Sequence, residues 1–172
     1  MYRAVTESRE SLARWFDWCG PHYTRDAAAT FAAAQAGEWA DGTAWRLLIV
    51  ENRGEPRERV LGTVGFHSID AVNRQAELGY WVRASARRQR VAVRAAGLAL
   101  DWLFDATDIA AVSIVVAVGN EPSLGVSRAL GATEHGVLPD RIWLHGEPVD
   151  AHLLRITRRD WLARERKPQR AD

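Results

Sequence analysis

Apolar residues recur along this chain with two periods, one near 3.6 and one near 2, and the places where the period changes predict its elements. Ala4, Val5, Leu12, Trp15 and Phe16 give residues 3–16 the spacing of a helix, which Gly20-Pro21 ends. Thr24 suits the N-cap of a second helix running to about Trp39, with Asp26 near its positive end. Asp41-Gly42 makes a turn, and Trp45–Glu51 is a run of strand-forming residues. The polar stretch Asn52–Arg59, with Gly54 and Pro56, reads as a hairpin loop, and Val60–His67 and Gln75–Val82 supply two further strands. After residue 90 the helical period returns, with Ala95, Leu98, Ala99, Trp102 and Leu103 on one predicted face. Val112–Val118 is short and β-branched, the pattern of a buried strand. Gly119-Asn120 turns the chain into a helix from about Pro122 to Leu130, with Gly131 as its C-cap. Arg141–His145 and Val149–Thr157 form a terminal strand pair, and residues 162–172 read as a polar, flexible tail.

Helix, helix, three strands, helix, strand, helix and two strands imply an α/β layer fold on one central sheet. Length agrees: 172 residues suggest a single domain, 1–172, with its core within about 3–161. Apolar content of 47% and eight tryptophans favour an ordered globule. A formal net charge of +1 gives no global argument for nucleic acid or membrane binding. The basic residues are unevenly placed, however, crowding residues 83–94 and the C-terminal end. Cys19 is the only cysteine, which excludes an internal disulfide and a Cys-based zinc cluster. With no apolar run of membrane-spanning length and no signal-peptide core, the expected location is the cytoplasm, without a membrane partner.

The chemistry concentrates in three places. Arg87-Arg-Gln-Arg-Val-Ala92 lies between a strand and a helix, where free helix amides and guanidinium groups together favour an anion. Glu77 sits on the preceding strand and shares one face with Gly79 and Trp81, while Leu78, Tyr80 and Val82 take the other. It is a candidate base, or a strand glutamate in a salt bridge with Arg74 or Arg83. Asn120-Glu-Pro-Ser123 follows a strand and opens a helix, so capping is the plain alternative to any catalytic use. The histidines show no metal-binding spacing, and no metal is expected.

Together with Leu130-Gly131, these segments resemble the GNAT N-acetyltransferase superfamily, and within it the Rim-type subgroup. The resemblance implies a GNAT fold with a mixed, mostly antiparallel sheet, whose usual first strand is here short or missing. It implies acetyl-CoA as acyl donor and a primary amine as acceptor, on a small molecule, a peptide or a protein N-terminus. Glu77 would be the base, directly or through water, and Ser123 would protonate the leaving thiolate. Arg87, Arg88, Gln89, Arg90, Val91 and Ala92 would hold the pyrophosphate, while the Trp81–Val82 backbone and Asn120 would hold the pantetheine arm. The family places glycine where this chain has Arg90, and frequently also where it has Arg88. Arginine pays about 1–2 kcal/mol for a left-handed backbone that glycine adopts freely. Trp15, Trp18, Trp39 and Trp45 fall around the first two helices, which in the family wall the acceptor site; they form either an aromatic pocket or core.

Two other readings keep this fold. In one, the arginine-rich loop and basic C-terminus serve a different donor, such as aminoacyl-tRNA. In the other, a degenerate GNAT fold binds a ligand or partner without catalysis. An incomplete sheet edge also invites pairing of two chains into a homodimer.

Overall fold

The computed structural model describes residues 1–165. Its elements are α1 (Tyr2–Ala13), α2 (Arg25–Ala40), β1 (Trp45–Glu51), β2 (Arg59–Asp70), β3 (Gln75–Val82), α3 (Val91–Ala106), β4 (Ala111–Ala117), α4 (Glu121–Ala129), β5 (Thr133–Leu144), β6 (Glu147–Thr157) and α5 (Arg158–Glu165). Six strands form one sheet in the order β1-β2-β3-β4-β6-β5. Only the β3–β4 pair is parallel. The GNAT architecture expected from the sequence is present, and no strand precedes α1 in the described residues. No helix among them is long and apolar enough to cross a membrane.

Local sequence explains most boundaries. The Thr24 side chain accepts a hydrogen bond from the Ala27 amide at 3.1 Å, capping α2 as its position predicts. Gly131, at φ 70°, ends α4 in the left-handed conformation. Two expectations need correction. β5 begins at Thr133 rather than Arg141, because bulges at Glu134/Gly136 and Leu138/Ile142 absorb the polar residues that mask its alternation. The chain after Trp161 continues as helix α5 to Glu165, and the rest of the expected flexible tail lies outside the described residues.

The main core lies between α3 and the sheet, where Leu100, Leu103 and Phe104 meet Phe66, Leu78, Ile114 and Leu154. The buried stripe of α3 is Ala96, Ala99, Leu100, Leu103 and Phe104, one position away from the predicted face; Leu98 is 71% exposed. Both stripes satisfy the 3.6 period, and only packing against the sheet distinguishes them. A second core on the opposite face joins α1 and the start of α2 to Trp81, with Val5, Leu12 and Cys19 buried in it. The two helices thus cover the face that carries Glu77, Gly79 and Trp81. At the free edge of β1, Trp39 at the end of α2 donates from its indole nitrogen to the Arg46 carbonyl at 3.2 Å. That contact covers one unpaired carbonyl of an edge strand. Trp39 and Trp45 both pack on Trp102 of α3, so these two tryptophans belong to core rather than to a site.

Candidate active site

β3 and β4 pair over only three residues each, Gln75–Glu77 with Ala111–Ser113. Beyond that point the strands part and leave a wedge in the sheet. Peptide groups of β3 from Leu78 onward therefore face the opening on one side while remaining paired to β2 on the other. The wedge opens into a groove of about 1040 Å³, walled by Leu12 of α1 and Trp15 just after it, by Tyr80 and Val82 of β3, and by the starts of α3 and α4. A space of this size suits an extended cofactor-like molecule.

The loop at the start of α3 decides what the groove can bind. Arg88 and Arg90 both stand at φ 58°, in the left-handed region that the glycines would occupy. The backbone path therefore survives the substitutions, at about 1–2 kcal/mol for each non-glycine residue. Among the described residues, no protein acceptor meets the amides of residues 88–93, and no acidic residue lies in the first turn of α3. Arg87, Arg88 and Arg90 line the groove, and no carboxylate in the described chain pairs with them. Unpaired amides, a helix N-terminus and three guanidinium groups form a cradle matched to a diphosphate. Trp81, Val82, Val91, Ala92 and Asn120 line the same groove. Gln89 alone of the expected set turns away, its amide donating to the Ser85 carbonyl at 3.0 Å.

This loop is fixed from the side by α1. The Ala84 amide donates to the buried Ser8 hydroxyl at 2.8 Å, and the Ser85 amide to Glu7 at 3.2 Å. Arg83 pairs with the same Glu7 carboxylate, and these hydrogen bonds hold its pKa down to about 2. Arg83 is thereby committed to α1 and does not meet Glu77.

At the start of α4, the Asn120 side chain accepts from the Ser123 amide at 3.3 Å, so it is a helix cap as well as a groove residue. The sequence offers no tyrosine within α4, yet one arrives from β3. The Tyr80 hydroxyl lies 3.1 Å from both the carbonyl and the hydroxyl oxygen of Ser123, and 3.3 Å from Ser127 Oγ. Burial pushes its phenol pKa up, so it stays protonated.

Tyr80, Trp81 and Phe16 also line a second cavity, of about 520 Å³, between the sheet and the first two helices. The groove and this cavity thus meet across three shared residues. His67 of β2 lines the second cavity and was not singled out by the sequence, where histidines matter most visibly through metal spacing. Its Nδ1 lies 3.1 Å from Ser68 Oγ. Its Nε2 is 3.2 Å from where a Cβ on residue 79 would sit, so Gly79 leaves that nitrogen open. Burial, reinforced by Arg46, lowers the His67 pKa, while Glu77 opposes the shift. Its imidazole is therefore neutral near pH 7.

Glu77 pairs in register with His67 across β2 and β3. It does not line either large cavity. Its carboxylate lies 3.4 Å from Arg141 of β5, an ion pair with a different arginine from the two expected. Cys19 is fully buried, its thiol donating to the Phe16 carbonyl at 3.6 Å, and burial raises its pKa. That is the chemistry of an inert thiol. Among the described residues, no group of three or more His, Cys, Asp or Glu side chains could hold a metal ion.

A splayed sheet, an amide-lined turn at a helix start and two joined cavities agree with the comparisons to known proteins. The chain belongs to the acetyltransferase (GNAT) domain family, whose model matches residues 1–133. It is 30% identical over 100 residues to the "Putative ribosomal N-acetyltransferase YdaF" of Bacillus subtilis strain 168, a match covering 58% of this chain and 55% of that protein. It is 28% identical over 123 residues to the spermidine N(1)-acetyltransferase of Escherichia coli K12, covering 72% of this chain and 64% of the relative. The chain thus spans little more than half the length of the first of these. In fold it is similar to RimL, a ribosomal L7/L12 α-N-protein acetyltransferase solved with coenzyme A, at a TM-score of 0.79 and 19% identity. That alignment covers 91% of this chain and 85% of RimL.

Proposed function

We propose that this chain is an N-acyltransferase that moves an acetyl group from acetyl-CoA to a primary amine of a small molecule, peptide or protein N-terminus. The observation that carries this reading is the pair of left-handed arginines, Arg88 and Arg90, which keep the loop amides unpaired and directed as a diphosphate cradle. The donor supplies a thioester carbonyl, which the amine nitrogen attacks as the C–S bond breaks. Relatives named for ribosomal proteins and for spermidine support an amine acceptor.

The chain's own residues divide the work. Amides of residues 88–92 and the neighbouring guanidinium groups bind the diphosphate, while the unpaired β3 edge at Trp81–Val82 and Asn120 align the arm. An amine is protonated at neutral pH and must lose a proton before it can attack. His67, neutral and open at Nε2, lines the acceptor cavity and takes that proton. Glu77, the base expected from the sequence, acts here from behind as a positioning charge that stabilises the imidazolium. Ser123 hands the thiolate a proton along its hydrogen bond with Tyr80, and water returns a proton to this pair as coenzyme A leaves.

Rate–pH profiles test these roles. Activity should fall as pH drops through a His67 pKa below the ordinary histidine value of about 6.5. The charges facing His67 are Arg46 on β1 and Glu77 on β3, with Arg141 of β5 behind the latter. Because Glu77 holds the His67 pKa up, Glu77→Gln should move this acid limb to lower pH and leave catalysis measurable. His67→Gln should remove the limb and lower kcat/KM about a hundredfold. The reverse pattern, with Glu77→Gln abolishing turnover and His67→Gln retaining the limb, would return the base to Glu77.

A further inference from the structure

We infer that the acceptor is a primary amine on an aromatic or bulky apolar body, carrying a single positive charge, and that polyamines are poor acceptors. This deepens the acyltransferase reading and rests on it. The acceptor cavity is walled by a continuous set of rings. Trp18 lies with its centroid 5.6 Å from Phe16, 5.6 Å from Tyr23 and 6.3 Å from Trp81, and Phe31 faces the same space from α2. Trp18 and Phe31 remain 46% and 38% exposed, large apolar surfaces left open at the cavity. A ring in the ligand would cover them at offset-stacked or edge-on distances.

Charge narrows the class further. No aspartate or glutamate lines this cavity. One side chain of its lining is a full cation, Arg46, whose guanidinium lies 5.6 Å from the Phe31 ring centre and pairs with Glu38, outside the cavity. Arg46 also lies close enough to His67 to depress its basicity. A second ammonium group drawn into this space would lose water, meet a guanidinium of like charge, and find no carboxylate to replace its hydration. One amine avoids that cost by giving its excess proton to His67 before attack. The volume of about 520 Å³ suits a ligand of two-ring size.

The reaction balances: the N–C bond forms, the C–S bond breaks, and the ammonium gives up two protons, one to His67 before attack and thence to water, and one from the tetrahedral nitrogen that offsets the proton Ser123 hands to the thiolate sulfur. The test compares tryptamine, phenethylamine, n-butylamine and spermidine by thiol release at saturating acetyl-CoA, with donor binding measured separately by calorimetry. Tryptamine should exceed spermidine in kcat/KM by about a hundredfold. Trp18→Ala should lower kcat/KM for tryptamine about tenfold more than for n-butylamine, chiefly through KM. Spermidine turning over as well as tryptamine, an equal effect of Trp18→Ala on all amines, or no turnover of either aryl amine by protein that binds acetyl-CoA would each overturn the inference while leaving the fold reading in place. Failure to bind acetyl-CoA at all would instead remove the acyltransferase reading beneath it.

Discussion

At Arg88 and Arg90, side-chain charge and backbone conformation pull in opposite directions. The guanidinium groups favour an anion, and the left-handed φ of 58° favours glycine. Because the turn already has its working path, glycine at position 90 relieves strain in free and ligand-bound protein alike. Arg90→Gly should therefore be more stable than Arg90→Ala by about 1 kcal/mol, since both lack the charge and only alanine carries the left-handed penalty. Thermal melts of the two variants should differ by about 2–4 °C. Equal melting temperatures would mean that residue 90 does not hold a positive φ. At this scale the sequence exposed some residues and hid others. Arg87–Ala92 could be found because a basic turn between strand and helix has a physical meaning by itself. His67 and Tyr80 could not, because their importance comes from cross-strand register and from a 43-residue separation closed only by the fold.

Among the elements, α1 has a role that its amphipathic pattern did not announce. Glu7 and Ser8 hold the connection between β3 and α3, and so hold the turn that follows it. Glu7 has a folded pKa of about 2 against an ordinary 4.5, so the unfolded chain binds the proton more readily. Its stabilisation is present above about pH 4.5 and is lost as pH falls toward 2. Glu7→Gln should cost about 1 kcal/mol at pH 7, a figure discounted for the partial exposure of this pair, and should flatten the acid part of the stability curve. Denaturant melts between pH 2 and 7 would show it, and an unchanged acid slope would contradict it. In α3, Leu100 is fully buried between Ala96 and Leu103 against the sheet. Leu100→Ala should cost about 2–5 kcal/mol by cavity formation, whereas Leu98→Ala should cost less than about 0.5 kcal/mol. The sequence period placed α3 correctly and found Ala99 and Leu103, but centred the stripe one position off, on the exposed Leu98 rather than the buried Leu100. A helix with alanine, leucine and tryptophan on most sides offers two apolar faces, and only the sheet selects between them.

For the whole molecule, element order was sufficient to identify the layered architecture, because the strands other than β5 and the helices that connect them carry a local period. The groove was not legible in the same way. It comes from the parting of β3 and β4 after three paired residues, a property of the assembled sheet. The C-terminal basic residues also change meaning in the fold. Arg158 donates to the carbonyls of Ile109 and Thr107, and Arg164 to that of Leu130, so both tie α5 to the body. These two arginines are therefore not free for a polyphosphate track, while Arg166, Lys167 and Arg170 lie outside the described residues.

The direct test of the account is a calorimetric titration of the purified protein with coenzyme A and, in parallel, with pantetheine, which lacks the diphosphate. Binding of coenzyme A at micromolar strength, with pantetheine about a hundredfold weaker, is the predicted result and corresponds to about 2.7 kcal/mol carried by the amide and guanidinium cradle. Equal affinity for the two ligands, or no heat from coenzyme A at millimolar concentration, would contradict it.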